Sequence, residues 1–271
     1  MSSVELNSSH SILHLKNISK KYKINNSSVQ TLLNGVNLKV SKGEFITIIG
    51  KSGCGKSTLL NILAGLDKSF TGELLVDDKP VSSSNGDRIV VFQENSLFPW
   101  LNVIQNIEFG LRQAKVSKNL RKSIAMNYLN MVGLSDFAYA NIHELSGGMK
   151  QRISIARALS LNPRIILMDE PFASLDTHTR QSLQSELLRI HEQTKKTILF
   201  VTHNIEEAVL LGDRVIILSN STGSFKREFI INVPRPRNLN NPTLKNMVFE
   251  ALDELRKDYY DKREYANPIP A

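Results

Sequence analysis

Nine consecutive residues, Gly50-Lys51-Ser52-Gly53-Cys54-Gly55-Lys56-Ser57-Thr58, set two glycines, a lysine and a hydroxyl at the spacing G-x-x-x-x-G-K-[ST]. Glycines let successive backbone N–H groups turn inward around an anion, and a helix opening there adds its partial positive charge. In such a loop Lys56 reaches the β- and γ-phosphates of a nucleotide, and the Ser57 hydroxyl ligates Mg²⁺. A glycine-rich turn before a helix would explain the glycines alone. The apolar run Phe45–Ile49 ahead of the loop and Leu59–Ala64 behind it supply the strand and helix that a phosphate loop requires. Cys54 reads as a small space-filler, although a thiol at a helix N-terminus can have a lowered pKa and react with alkylating agents.

A second apolar run, Ile165–Met168, ends in Asp169-Glu170. Asp169 would hold Mg²⁺ directly or through water, and Glu170 would polarise an attacking water. Two carboxylates capping the next helix would be the plainer use; behind a phosphate loop the pair points to hydrolysis. The third constellation is Leu145-Ser146-Gly147-Gly148-Met149-Lys150-Gln151-Arg152, followed by the helical run Ile153–Leu159. Ser-Gly-Gly opening a helix is a second anion-binding end. One nucleotide does not need two such cradles in one chain, so two copies sandwiching two nucleotides are expected. A serine N-cap explains Ser146 but not the whole octet.

The elements that must position these groups are legible as patterns. Phe45–Ile49, Ile89–Phe92, Ile165–Met168 and Ile198–Val201 are short, nearly continuous apolar runs, as in parallel strands buried on both faces. They end in Gly50-Lys51, Gln93-Glu94, Asp169-Glu170 and Thr202-His203, and ligands gather at the carboxyl ends of such strands. The four ends are therefore expected to converge. From Ile12 to Lys42 apolar and polar residues alternate, which predicts antiparallel strands with one wet face. Between Gln93 and Leu159 helical spacing takes over. After Ile231, Leu244, Met247, Val248, Ala251, Leu252 and Leu255 form the stripe of one further helix, docked on its own domain.

Composition bounds the partners. With 271 residues, 41% hydrophobic and 22% charged, the chain has enough apolar material for a packed core. The net charge of +8 admits nucleic acid, an anionic membrane face or phosphorylated ligands. The excess is local: residues 6–43 carry six basic side chains and no acidic one, and residues 109–135 carry five, again with no acid. A solvated basic face is expected for both blocks. The single cysteine excludes an internal disulfide framework and any multi-cysteine metal site. No apolar run approaches the roughly 18 residues of a membrane span, and residues 1–17 lack a secretory signal pattern. A soluble, intracellular chain is expected, its membrane role coming only through a partner.

The ordered set of Walker A at 50–58, Q-loop Gln93, signature 145–152, Walker B at 165–170, D-loop Ser174-Leu175-Asp176 and switch His203 resembles the ATP-binding subunits of ABC transporters over nearly the full length. The resemblance implies an α/β fold: a P-loop (RecA-like) core with a mainly parallel sheet, an N-terminal antiparallel β subdomain and an inserted helical subdomain. It divides the chain into a flexible leader at 1–10, an ATPase domain at 11–231 with the helical subdomain at about 94–159, and a tail at 232–271 with one amphipathic helix and no separate regulatory domain. It implies ATP hydrolysis with ATP and Mg²⁺ as cofactors. Tyr22 would stack on adenine; Gly50, Lys51, Ser52, Gly53, Cys54, Gly55, Lys56, Ser57 and Thr58 would hold the phosphates. Ser57, Gln93 and Asp169 would serve the metal, and Glu170, His203, Gln93 and Lys56 would act in catalysis. Ser146, Gly147, Gly148 and Asp176 would complete the nucleotide site of the opposite copy.

Leu97-Phe98-Pro99-Trp100, together with Val233-Pro234-Arg235-Pro236-Arg237, resembles the nitrate/sulfonate/taurine importer group. That implies an ATP-hydrolysing subunit on the cytoplasmic side of the cell membrane, peripheral to it, energising uptake of a small anionic organic solute through separate transmembrane permease subunits. A solute-binding protein outside the membrane would act indirectly, and no nucleic acid would be bound. Trp100 would line a surface groove for the permease's short cytoplasmic helix; a core aromatic is its plainer role. Two rivals are the ATPase of an exporter or lipoprotein-release complex, and a soluble ABC-type ATPase acting on nucleic acid or the ribosome. Relatives of the second kind usually carry two cassettes or long coiled-coil arms. Asn204 stands after His203 where many relatives carry Asp, and Asp78 stands in a hairpin turn where relatives often have Gly.

Overall fold

In chain order, β1 (Ser11–Asn25) and β2 (Ser28–Ser41) form a long hairpin, and β3 (Phe45–Ile49) leads into α1 (Lys56–Ala64). A short hairpin, β4 (Thr71–Val76) and β5 (Lys79–Pro80), precedes β6 (Arg88–Val91). Three helices follow, α2 (Val103–Gln113), α3 (Lys118–Met131) and α4 (Gly147–Ser160). The chain returns through β7 (Ile165–Asp169), α5 (Thr177–Thr194), β8 (Thr197–Thr202), α6 (Ile205–Leu211), β9 (Arg214–Leu218), β10 (Phe225–Ile230) and α7 (Pro242–Ala266). This computed structural model describes residues 11–25, 28–81, 84 and 86–266; the leader expected at 1–10 lies outside them.

The alternation in β1 and β2 becomes a register. Leu15 lies opposite Leu38 and Ile18 opposite Val36, all four buried, while His14 and Lys39 pair on the other face. The antiparallel sheet runs β2-β1-β4-β5. Its closing turn places Asp77 at φ 47° and Asp78 at φ 60°, the left-handed pair of a two-residue hairpin, which aspartate tolerates. The central sheet runs β10-β9-β3-β8-β7-β6, parallel throughout except for β10. The apolar runs in β3, β7 and β8 are buried on both faces. β6 is the edge strand and only partly covered, and Phe92, which the pattern placed in that strand, lies beyond it and is exposed.

Three apolar clusters hold these layers together. α1 is sandwiched between the two sheets, with Leu59, Leu60 and Leu63 among Leu13, Leu15, Ile46 and Ile48. On the opposite face of the central sheet α2, α3 and α4 pack with α5 around Phe45, Phe172 and Phe200. The segment before α2 is irregular, so helical spacing begins at Val103 rather than at Gln93. The third cluster docks α7 on α6 and β9 through Leu244 and Ala251. Leu252, part of the predicted stripe, is on the open side with Phe249. Farther along α7, the buried Asp258 carboxylate accepts hydrogen bonds from Ser219, from Ser221 Oγ at 2.8 Å and from the Asn220 N–H at 2.8 Å, pinning the helix to the β9–β10 turn.

The Arg-Pro-Arg motif has a structural role here. Arg235 pairs with Asp213 at 2.7 Å and donates to the Leu211 carbonyl, while Arg237 donates to the carbonyls of Val209 (3.0 Å) and Gly212. The two guanidiniums close the carbonyl end of α6, where cations are favoured. Burial lowers the pKa of Arg237 to about 10, with Arg235 adding to the effect.

The first basic block is the solvated face expected of it at Lys21, Lys39 and Lys42, which are exposed, but not at Lys20. Lys20 is buried and paired with Asp67 at 2.8 Å, and Lys16 meets Glu73 at 3.1 Å. Both acids lie outside residues 6–43, where a count along the sequence does not see them.

Candidate functional site

The strand order explains how the four polar strand ends meet. β3, β8, β7 and β6 are consecutive neighbours and all parallel, so Gly50, His203, Glu170 and Gln93 follow on one edge of the sheet. The loop after β3 is shaped by its glycines. Gly53 lies at φ 80° and Gly55 at φ 107°, and a Cβ on Gly50 would stand 2.6 Å from Cys54 Sγ and 2.7 Å from the Leu218 carbonyl oxygen. α1 starts at Gly55 with no side chain capping its first N–H groups, which leaves them directed out of the helix end. Cys54 fills space under the loop. Burial raises its thiol pKa, outweighing the opposing pull of Lys56, so the helix end does not turn it into a thiolate.

The Lys56 ammonium is buried. It donates to the carbonyls of Gly50 (2.8 Å) and Lys51 (3.1 Å) and stands 3.6 Å from Glu170 Oε1. Glu170 Oε2 lies 2.7 Å from His203 Nδ1, so one carboxylate spans the lysine and the histidine. Glu170 sits at φ 45°, left-handed backbone that a glutamate adopts at a cost, and its N–H donates to the Val201 carbonyl at 2.9 Å. Beside it the Ser57 hydroxyl bonds to Asp169, whose pKa is raised chiefly by burial and then by the neighbouring Glu170.

The donors present fit a magnesium nucleotide. The uncapped N–H groups and the lysine suit phosphate, and Ser57 with Asp169 offers hard oxygens. Among the described residues no group of three or more His, Cys, Asp or Glu could hold a metal without help. Ser57 and Asp169 would hold a Mg²⁺ together with ligands from phosphate and water.

The other sequence-selected residues stand around this cluster. Gln93 is exposed just past β6. Tyr22 is 44% exposed on β1, paired with Gln30 near the end of the hairpin whose Leu33 would lie 2.9 Å from a Cβ on Gly55. Ser146 and Gly147 are exposed at the start of α4, where Ser146 Oγ caps the Met149 N–H at 3.3 Å. Gly148 is buried, and a Cβ there would meet Thr179 Cγ2 at 2.6 Å. Asp176 caps α5 through the Thr179 N–H at 3.0 Å, and that hydrogen bond is the main reason its pKa is lowered.

Several supporting residues other than Asn204 carry no local sequence signal. Under His203, the buried Glu207 accepts from Thr202 Oγ1 at 2.5 Å and Gln184 Nε2 at 3.0 Å, and burial raises its pKa against those bonds. Asn204 caps α6 by accepting from the Glu207 N–H at 3.1 Å. Arg180 Nη2 holds the Leu175 carbonyl at 2.8 Å. Ser154 Oγ bonds the Asn95 carbonyl at 2.6 Å and Arg157 Nη1 the Ser96 carbonyl at 2.9 Å, fastening the segment after Gln93 to α4.

A family model described as "ABC transporter" matches residues 33–173. The nitrate import ATP-binding protein of Synechocystis sp. is 46% identical over 202 residues, 74% of this chain and 76% of that protein. The aliphatic sulfonates import ATP-binding protein of Bacillus cereus is 39% identical over 257 residues, 94% and 97% of the two chains. Among solved structures, a dimeric ATP-binding cassette in a post-hydrolysis state, bound to ADP and Pi, superposes with a TM-score of 0.71 at 36% identity, covering 82% of this chain and 100% of that one.

Proposed function

The chain belongs to the ABC transporter family, and on that premise we propose that it is the ATP-hydrolysing subunit of an importer for a small anion, working as two copies that close around two Mg-ATP molecules. The observation that carries this reading is the position of Glu170, 2.7 Å from His203 and 3.6 Å from Lys56, beside the Ser57–Asp169 pair. Glu170 accepts a proton from the attacking water, and His203 orients that water and the γ-phosphate. Lys56 exchanges its carbonyl partners for phosphate oxygens. Ser57 and Asp169 would hold a Mg²⁺, which would supply further charge neutralisation; catalysis is then positioning plus charge stabilisation. Ser146 and Gly147 serve the nucleotide held by the second copy, and Tyr22 stacks on its own adenine.

Membrane coupling runs through the segment after Gln93. Trp100 is 75% exposed, its ring 5.5 Å from that of Phe98, and Phe98 borders a groove of about 370 Å³ shared with Phe92, Phe109 and Arg157. A permease helix would insert there, on the cytoplasmic side of the membrane, and no helix among the described residues is long and apolar enough to cross the membrane itself. Two relatives are named for nitrate and for aliphatic sulfonates, which supports a small oxyanion as solute.

Glu170→Gln tests the assignment. The variant is expected to keep ATP binding while turnover falls at least about a hundredfold, with the chain still co-purifying with a multi-span membrane protein. Near-normal hydrolysis by the variant would remove Glu170 from the mechanism, and failure to co-purify would remove the permease.

A further inference from the structure

The two basic blocks differ in what their charges face. In the first, Lys16 and Lys20 are paired with acids, while Lys21, Lys39 and Lys42 are exposed with no carboxylate ion pair seen among the described residues. In the second, Arg112, Lys115, Lys118 and Lys122 are exposed, and no carboxylate ion pair is seen for them among the described residues. Arg121 bonds the Val116 carbonyl at 2.9 Å. Two acids border the block, Glu108 and Asp136, which leaves residues 108–136 with five basic side chains against two acidic ones.

These cations belong to one face. Glu108, Phe109, Arg112 and Arg121 line a cleft together with Leu101, next to Trp100. The Val103 and Ile104 N–H groups donate to the Ala140 (3.1 Å) and Ala138 (2.8 Å) carbonyls, which brings Tyr139 to the same edge. Lys122 Nζ lies 5.8 Å from the centre of the Tyr139 ring. Trp100 and Tyr139 are 75% and 65% exposed beside the basic groups.

We propose that this face, from the end of α2 across α3 to Tyr139, docks on anionic phospholipid headgroups. The reading rests on the permease assembly above, in which the Phe98–Trp100 segment faces the permease. Unpaired lysines and arginines bind an anionic surface without first breaking an ion pair, and amphipathic aromatics are favoured at the headgroup level. A polynucleotide would use the same charges but would gain less from the apolar groups interleaved with them. The contact would hold the subunit at the membrane whenever it is released from its permease.

The purified full chain is to be sedimented with vesicles of phosphatidylcholine alone and of phosphatidylcholine with phosphatidylglycerol, at low and at physiological salt. Binding is expected only to the anionic vesicles, weakening with salt. Lys115→Gln/Lys118→Gln/Lys122→Gln should lower it roughly tenfold to a hundredfold while leaving ATP hydrolysis and the unfolding temperature unchanged. Equal binding to both vesicle types, or an unaltered triple variant, would overturn the proposal. So would a DNA duplex that competes the anionic vesicles off at equal charge concentration. Hydrolysis and permease co-purification are read separately, so loss of the transporter reading leaves its own mark on those two measurements.

Discussion

Two helix ends in this molecule have nearly the same composition and opposite surroundings. α1 opens with Gly-Lys-Ser and α4 with Ser-Gly-Gly, and neither has an acidic residue in its first turn. The first is enclosed: its lysine is buried against loop carbonyls and Glu170, and its serine bonds to Asp169. The second is open: Ser146 and Gly147 face outward, and only Gly148 is packed, against Thr179. Phosphate binding draws on the N–H groups of a helix end; α1 has no side-chain cap, whereas at α4 the Ser146 hydroxyl caps the Met149 N–H. Hydrolysis needs carboxylates and a histidine as well, and these accompany only α1. On the function proposed above, one chain carries a whole catalytic centre and half of a second contact. The surplus half makes sense only against another copy.

The sharpest way to break this contrast is complementation. Lys56→Ala and Ser146→Arg chains are each expected to lose turnover by about a hundredfold or more. Mixed, they should regain a measurable part of it, because one of the two shared sites then joins an intact loop to an intact α4. A mixture as inactive as its components would show that both ends act within one chain. A smaller effect is expected from Gly148→Ala, whose methyl would push α4 off Thr179. Turnover should fall by roughly tenfold to a hundredfold with ATP binding by the single subunit unchanged, and Thr179→Ser, which removes the clashing methyl, should restore it. Titrating nucleotide against the three forms decides between a shared site and a general loss of fold.

The smallest effect concerns the support under the enclosed end. Burial raises the pKa of Glu207, so ionising it costs the folded chain more than the unfolded one. Its contribution to stability is complete when the carboxyl is protonated, below the ordinary carboxylate range, and is lost as pH rises through the raised folded-state value. Glu207→Gln should flatten that part of the pH–stability curve, which thermal unfolding from pH 4 to 8 would show. An unchanged slope would mean that the hydrogen bonds from Thr202 and Gln184, not burial, govern this carboxyl.

How far these features can be read from the sequence follows from the range of the interactions. Strands and helices declare themselves through neighbours two to four positions apart. Thus the runs 45–49, 165–168 and 198–201 and the alternation of Leu13 with Leu15 are visible before any fold is known. The glycines of the loop are visible for the same reason. Contacts between distant positions are not. Lys20 with Asp67, Gln184 with Glu207 and Asp258 with Ser219 join segments whose partners are fixed only by the topology. The cysteine shows the limit most clearly, because position suggested a lowered pKa and packing raises it. The Arg-Pro-Arg motif shows another, a pattern recognised by likeness whose local task, closing α6, appears only when Arg235 and Arg237 are seen on its last carbonyls.

The left-handed backbone of Glu170 has a consequence for how this position can change. A non-glycine residue there costs roughly 1 kcal/mol, which glycine would recover while deleting the carboxylate that reaches both Lys56 and His203. Folding and turnover therefore pull position 170 in opposite directions. Under relaxed selection, drift toward the more stable and inert chain is downhill, and the glutamate persists only where hydrolysis is still required.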